Sequence, residues 1–302
     1  MTMPRSPLGV PPVSLSRIAC GVWRLSEAAD HSPDAVARRI QACLDQGITT
    51  FDHADIYGDY RCEQLFGDAL RAHPHLARGI EIVSKCDIML LSSKWPGTRV
   101  KHYDTSPAHV VASVERSLQR IGVEALDVLL IHRPDPLMDA RALGACLDNL
   151  INQGKIRAAG VSNFMPWDID LLQSAMRHRL VTNQVEASVL YTAPFTNGQL
   201  AHAQQHGMAP MAWSPLAGGR LFSQDAAAQR VRPALQRIAA EQGVDETAVA
   251  VAWLLHHPVG FVPVMGSNDL SRIQRFGDAL RVQMDRQTWF ELYSLGNGAE
   301  VP

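Results

Sequence analysis

Apolar residues fall along this chain in short runs, at positions 18–22, 48–52, 80–85, 126–132, 156–162, 180–186, 208–213 and 260–264. Val, Ile and Leu occupy both alternating faces of these runs, the pattern of strands covered on two sides by helices, as in a parallel sheet. The segments between them carry helix signals. Ser32 precedes Pro33 and Asp34, which places a capping hydroxyl before a proline at the first helical position. Val36, Ile40 and Leu44 then mark one face, and Gly47 a stop. Ser106-Pro107 repeats the device ahead of Val110, Val114, Leu118 and Ile121. Further amphipathic stretches cover 138–151, closed by Gly154, then 167–176, 199–206, closed by Gly207, and 247–256. Strand and helix therefore alternate eight times.

Two topologies fit eight such units, an open doubly wound sheet and a closed (β/α)₈ TIM barrel. A dinucleotide-binding doubly wound sheet places a G-x-G-x-x-G turn after its first strand, and this chain has none. Its one G-x-G pair, Gly296-Asn297-Gly298, is at the extreme C-terminus with no helix to follow. The pattern thus predicts an α/β chain folded as a (β/α)₈ barrel. No Pro/Gly/Ser-rich linker divides it, so residues 1–302 are expected to form a single domain, and 8–13 a small hairpin plug ahead of the first strand.

Composition narrows the chemistry. The chain has 302 residues, of which 46% are hydrophobic and 19% charged, so it is a folded globular protein outside the regime of disorder. Twenty-eight basic side chains against 30 acidic ones give a formal net charge of −2, without the basic footprint of a nucleic-acid binder. Only Lys85, Lys94, Lys101 and Lys155 are lysines, so surface cations are mostly arginines. The five cysteines, Cys20, Cys43, Cys62, Cys86 and Cys146, lie far apart without zinc-ligand spacing and read as reduced thiols of a cytoplasmic protein. The proline-rich N-terminus lacks an apolar signal-peptide core, and no apolar run reaches membrane-spanning length, so neither export nor a membrane partner is expected.

Barrel enzymes assemble their sites at the C-terminal ends of strands. Here the second strand ends in FDHADIYG (51–58), the third in SKCD (84–87), the fourth in IHRP (131–134), the fifth in VSN (161–163), the sixth in NQVE (183–186) and the seventh in AWSPL (212–216). Asp52 and Lys85 end adjacent strands just after apolar runs, where neither charge is easily buried alone, and pairing is the natural solution. Tyr57 can reach back over the mouth, where an ammonium would favour its phenolate and lower a pKa ordinarily about 10, giving a general acid usable near neutral pH. His132 adds a donor at the same point. Together these four form a proton-donor site for a carbonyl oxygen, with no source of electrons. The other histidines offer less: His178 and His206 are expected to be exposed, His256-His257 lies at a helix end, and His73-Pro74-His75 is a loop. Without H-x-H on the first strand, no metal site is expected.

At these residues the chain resembles the aldo-keto reductase superfamily. FDHADIYG (51–58), IVSKC (82–86), LDVLLIHRPDP (126–136), GKIRAAGVSNF (154–164), TNQVEASVLY (182–191) and MAWSPLAGGRLF (211–222) match its signatures in order, and are most similar to bacterial members carrying DHADIYG and IHRPDPLMD runs. The resemblance implies a barrel that binds NADP(H) without a Rossmann motif and reduces aldehydes or ketones. It implies a catalytic tetrad of Asp52, Tyr57, Lys85 and His132, with Tyr57 as the proton donor. Ser162, Asn163 and Gln184 correspond to the residues that bind the nicotinamide carboxamide, and Trp213 to the aromatic stacked on the ring. Ser214, Leu216, Ala217 and Gly218 fall in the pyrophosphate loop. Gly266, Ser267, Asn268 and Arg272 fall at the adenosine 2′-phosphate, where Gly266 departs from a position that is basic in many members. Trp23 and the 94–103 loop with Trp95 are candidates for the substrate pocket. The expected partner is a small carbonyl compound, and the expected state a monomer or weak oligomer.

Two other functions use the same residues. A lyase could use Lys85 as a Schiff-base nucleophile. A cofactor-sensing regulatory subunit would bind the nucleotide with little turnover.

Overall fold

The computed structural model describes residues 3–9 and 13–302. Eight parallel strands close into a barrel in chain order: β1 (Ala19–Gly21), β2 (Thr50–Asp52), β3 (Glu81–Cys86), β4 (Leu126–Ile131), β5 (Ile156–Ser162), β6 (Asn183–Glu186), β7 (Met211–Trp213) and β8 (Val262–Met265). Closure is made by β8 against β1, with Val264 opposite Ala19 and Met265 opposite Cys20. Each strand falls within or beside one of the eight apolar runs.

A two-residue period decides what faces the barrel axis. Ala19, Val83, Val128, Leu130, Ala158, Met211, Val262 and Val264 form the interior cluster. One step further along the same faces stand Gly21, Lys85, His132, Gly160, Trp213 and Gly266, and beyond Gly160 comes Ser162. The alternation that fills the barrel with aliphatic groups therefore delivers polar groups to its C-terminal mouth. The opposite faces pack outward, under the helices, in a larger cluster that includes Phe51, Phe66, Leu129, Val161 and Trp253.

Helices α1 (Pro33–Leu44) and α3 (Pro107–Ile121) start as their Ser-Pro signals predict, with Ser32 Oγ accepting from the Ala35 N–H and Ser106 Oγ from the His109 N–H. Between them lies α2 (Cys62–Ala72), then come α4 (Ala140–Asn152), α5 (Pro166–Gln173) and α6 (Gln199–Gln205). Two helices, α7 (Ala226–Gln242) and α8 (Glu246–Leu255), separate β7 from β8. A single turn at Leu270–Ile273 follows β8, and α9 (Arg286–Asn297) closes the chain. No helix among the described residues is long and apolar enough to cross a membrane.

The expected plug is an antiparallel hairpin of Arg5–Leu8 with Val13–Ser16. It is longer than 8–13 on both sides, and its residues 10–12 lie outside the described residues. Leu8 and Leu15 are fully buried and join the interior cluster, so the hairpin stoppers the N-terminal end of the barrel and leaves only the other end open.

Candidate active site

Lys85 is buried at the end of β3, and its ammonium is held by the neighbouring strand. Nζ lies 2.8 Å from both Asp52 carboxylate oxygens, 2.6 Å from the His53 carbonyl and 3.2 Å from the Tyr57 hydroxyl. Burial opposes the charge most strongly, but Asp52 and Tyr57 together outweigh it, so Lys85 is held above the ordinary lysine range. A Schiff base needs the neutral amine, and the geometry argues against that use of Lys85.

Tyr57 follows the β2 end on a tight turn. Just after it Gly58 and Asp59 have φ of 59° and 53°, a left-handed stretch that turns the chain towards α2. Its ring stands edge-on to His132, with centroids 6.1 Å apart. Here the structure corrects an expectation. Burial pushes the Tyr57 phenol up, and the pull of Lys85 in the other direction does not cancel it, so the net shift is upward. Sequence spacing shows the cation but not how completely protein encloses the phenol. Burial, then the cations Lys85, Arg133 and Lys101, hold His132 well below the ordinary histidine range, so its imidazole is neutral.

Gln184 ties this group to a second one. Its amide donates to Asp52 Oδ1 at 2.7 Å, while the Ser162 hydroxyl donates to the Gln184 carbonyl at 2.9 Å. Asn163, at φ 61°, donates to Ser162 Oγ and accepts from the Trp213 indole at 2.9 Å. Ser162, Asn163, Gln184 and Trp213 thus form one connected patch beside the tetrad. The next loop continues it: Ser214, Ala217, Gly218 and Gly219 have φ of 50°, 52°, 65° and 98°. Non-glycine residues in this region are strained, and strain of this kind clusters at ligand sites.

All of this opens into a cavity of about 850 Å³. Asp52, Tyr57 and His132 line it, together with Ser162, Asn163, Gln184, Trp213, Ser214, Leu216 and Gly218 and with Gly266, Ser267, Asn268 and Arg272. Of the expected cofactor contacts Ala217 alone does not line it, its side chain being buried. Arg272 is exposed and 3.7 Å from Asp269, a loose pair that leaves the guanidinium available. The cleft's aromatic wall, amide-rich patch, left-handed loop and terminal arginine suit the ring, carboxamide, pyrophosphate and phosphate of a nicotinamide dinucleotide.

Trp23 stands at the rim, 54% exposed, with the Arg24 guanidinium 5.1 Å above its ring. Trp95 does not overhang the cavity. It packs on Tyr60 and under Arg116 instead, while Lys101 and Tyr103 from the same loop, and Ile88 ahead of it, reach the lining. Arg133 and Arg39 also line the cavity and carry no expectation from sequence. Arg133 had a signal, since it directly follows His132 at a strand end, and its guanidinium stands 5.9 Å over the Trp213 ring. His178, expected to be exposed, is half-buried and bonded to Asp148 at 2.8 Å.

A family model described as the aldo/keto reductase family matches residues 17–296. The chain belongs to that family, and the protein is an oxidoreductase. A protein of Agrobacterium fabrum named 6-dehydroglucose reductase is 57% identical over 289 residues, covering 96% of this chain and 97% of the relative. The oxidoreductase YdhF of Escherichia coli is 41% identical, covering 95% of each chain. The thermostable aldo-keto reductase Tm1743, solved with the inhibitor epalrestat, superposes with a TM-score of 0.80 at 25% identity, covering 97% of this chain and all of that one. An aldo/keto reductase of Klebsiella pneumoniae, crystallised with NADP and acetate, shares the fold with a TM-score of 0.77 at 24% identity, over 98% of this chain and 95% of that one.

Proposed function

We propose that this chain, acting as one unit over 1–302, is an NADPH-dependent reductase of aldehydes or ketones with Tyr57 as proton donor. The observation that carries the reading is the Lys85 ammonium, bonded to both Asp52 oxygens and to the Tyr57 hydroxyl at the floor of an amide-lined cleft. Bound NADPH supplies the hydride for the carbonyl carbon. Tyr57 gives its proton to the carbonyl oxygen, and Lys85 stabilises the phenolate that remains. Asp52 keeps Lys85 charged and in place. His132, neutral, orients the oxygen with a hydrogen bond.

Ser162, Asn163 and Gln184 hold the carboxamide, Trp213 stacks on the ring, and Ser214, Leu216 and Gly218 approach the pyrophosphate with Ala217 shaping the turn. Ser267, Asn268 and Arg272 take the 2′-phosphate, to which a guanidinium is well matched. The adjacent Gly266 contributes room rather than charge.

For substrate, the reading extends to an aldehyde derived from a hexose. The A. fabrum relative's name and a basic, aromatic substrate end both support this. Lys101, Arg133, Tyr103 and His132 offer donors to sugar hydroxyls, and the Trp23 face can pack on sugar C–H groups.

The test is a panel of carbonyl compounds, including a 6-aldehydo hexose, against NADPH and NADH, read as loss of nicotinamide absorbance. Tyr57→Phe is expected to lower turnover by about 100-fold or more while cofactor binding is retained. Normal turnover in that variant would remove Tyr57 from the role. Arg272→Ala is expected to weaken NADPH and leave NADH unchanged; equal losses for both would detach Arg272 from the 2′-phosphate.

A further inference from the structure

On the outer wall, away from the cleft, Asp170 of α5 faces two histidines carried by α6 and its last turn. His202 and His206 are four residues apart, a spacing that stacks side chains on one helix face. Their rings are 4.3 Å apart between centroids, tilted by 43°. His202 Nε2 lies 2.8 Å from Asp170 Oδ1, and one ligand atom from each residue falls within 4.8 Å of the other two. None of the three lines the cavity.

We propose that Asp170, His202 and His206 form a surface site for a borderline divalent transition-metal ion of the zinc or nickel type. Two imidazoles and one carboxylate suit such ions, while calcium and magnesium prefer all-oxygen sets. The three ligand atoms lie within 4.8 Å of one another, and gathering them at about 2.1 Å from one ion takes no more than small side-chain adjustments. The side chains that must move are free to do so: Asp170 is 62% exposed, and His206 is exposed. His202 is the anchored member, with its side chain only 9% exposed.

The ring of His202 is also chemically uncommitted. Nδ1 is buried without a protein partner, so nothing but the Asp170 contact fixes the proton on Nε2. With the ring proton on Nδ1, Nε2 would be free to coordinate, and the ion would take the place of the hydrogen bond between His202 and the Asp170 carboxylate. Open positions on the ion fill with water.

The ion would staple α5 to α6. The starts of the two helices are already linked, since Gln199 donates to the carbonyl of Phe164, just ahead of α5, at 2.7 Å. Stabilisation, rather than chemistry, is the expected consequence, because ligand binding to the folded state alone raises its apparent stability.

The experiment uses tag-free protein stripped with chelator, titrated with zinc chloride by calorimetry and followed by thermal unfolding. Wild type is expected to bind a zinc ion at this site and to gain in Tm. His206→Ala is expected to weaken that binding by about tenfold or more and to abolish the Tm gain, with Asp170→Asn intermediate. Carbonyl turnover should be the same in all three, since these residues lie outside the cleft. Absence of saturable zinc binding in wild type overturns the proposal. So does an isotherm that His206→Ala leaves unchanged, which would assign the binding to other surface histidines.

Discussion

Tyr57 keeps its proton because the fold surrounds it, and that has a consequence for pH dependence. In the proposed reaction reduction needs the protonated phenol, and burial holds its pKa above the usual value of about 10. Reduction with saturating NADPH is therefore expected to show no loss from Tyr57 through neutral pH and to decline only above about pH 10. Alcohol oxidation, which needs the phenolate, should rise over the same range. A reductive decline centred near pH 7 would contradict the assignment. Behind the tetrad lies Asp55, buried and bonded to Ser113, its pKa pushed up to about 7 by burial from an ordinary 3.8. In the fold it is protonated where the unfolded chain would ionise, so its contribution to stability is complete below pH 3.8 and is lost as pH rises through about 7. Asp55→Asn cannot ionise and keeps that contribution. Its Tm relative to wild type is expected to climb between pH 4 and 8, with a limit on the order of 4 kcal/mol. A pH-independent difference would mean that Asp55 is ionised in the fold. His53 stands in the opposite sense. It is fully buried with both ring nitrogens unpartnered, and burial, then Lys85, lower its pKa to about 3, so it favours folding at neutral pH and loses that contribution as pH falls from 6.5.

The elements show how one pattern serves two ends. Period-2 alternation fills the barrel with aliphatic side chains and, one step on, supplies Lys85, His132, Ser162 and Trp213 at the mouth. That is why the strands and the meeting of Asp52, Lys85 and His132 at the mouth could be read from sequence, since both follow from the position of an apolar run and what ends it. Helices were legible where a cap announced them, as at Ser32 and Ser106. Cys62–Ala72 went unread because it begins after Arg61, which makes no side-chain cap, and Ala226–Gln242 because Pro233 sits inside it. The orientation of Trp95 was not legible either, for it depends on Tyr60 and Arg116, which approach from other parts of the chain. The approach of α2 to the end of α3 leads to a prediction against helix propensity. A Cβ added at Gly67 would stand 1.9 Å from the Arg120 carbonyl oxygen, which is backbone and cannot step aside. Alanine in a helix is favoured over glycine by about 1 kcal/mol, yet Gly67→Ala is expected to destabilise by about 2 kcal/mol or more, because the two helices must separate. Chemical denaturation checks this, and a stabilised variant would show that the crossing is looser than it looks.

At the scale of the whole molecule, the C-terminal helix is held by a reciprocal clasp. The Trp253 indole donates to the Trp289 carbonyl and the Trp289 indole to the Trp253 carbonyl, each at 3.0 Å, while the two rings stack 4.8 Å apart at 11°. Phe195, from the loop after β6, packs on both rings. Trp289→Ala removes the indole that donates to the Trp253 carbonyl and leaves a gap beside the Trp253 ring, and is expected to cost about 3 kcal/mol, measured as a lower denaturant midpoint, with the tetrad geometry and cofactor binding retained. Loss of cofactor binding would show instead that α9 shapes the cleft. The chain's scarcity of lysine acquires a practical meaning from the burial of one of them. Lys94 and Lys101 are exposed and Lys155 is half-buried, whereas Lys85 is enclosed and has every donor engaged. Acylating reagents and amine-coupled supports attack only uncharged, accessible amines, so covalent attachment through lysine will be confined to three side chains, and the protein can be tethered or labelled with its proton-transfer centre chemically untouched.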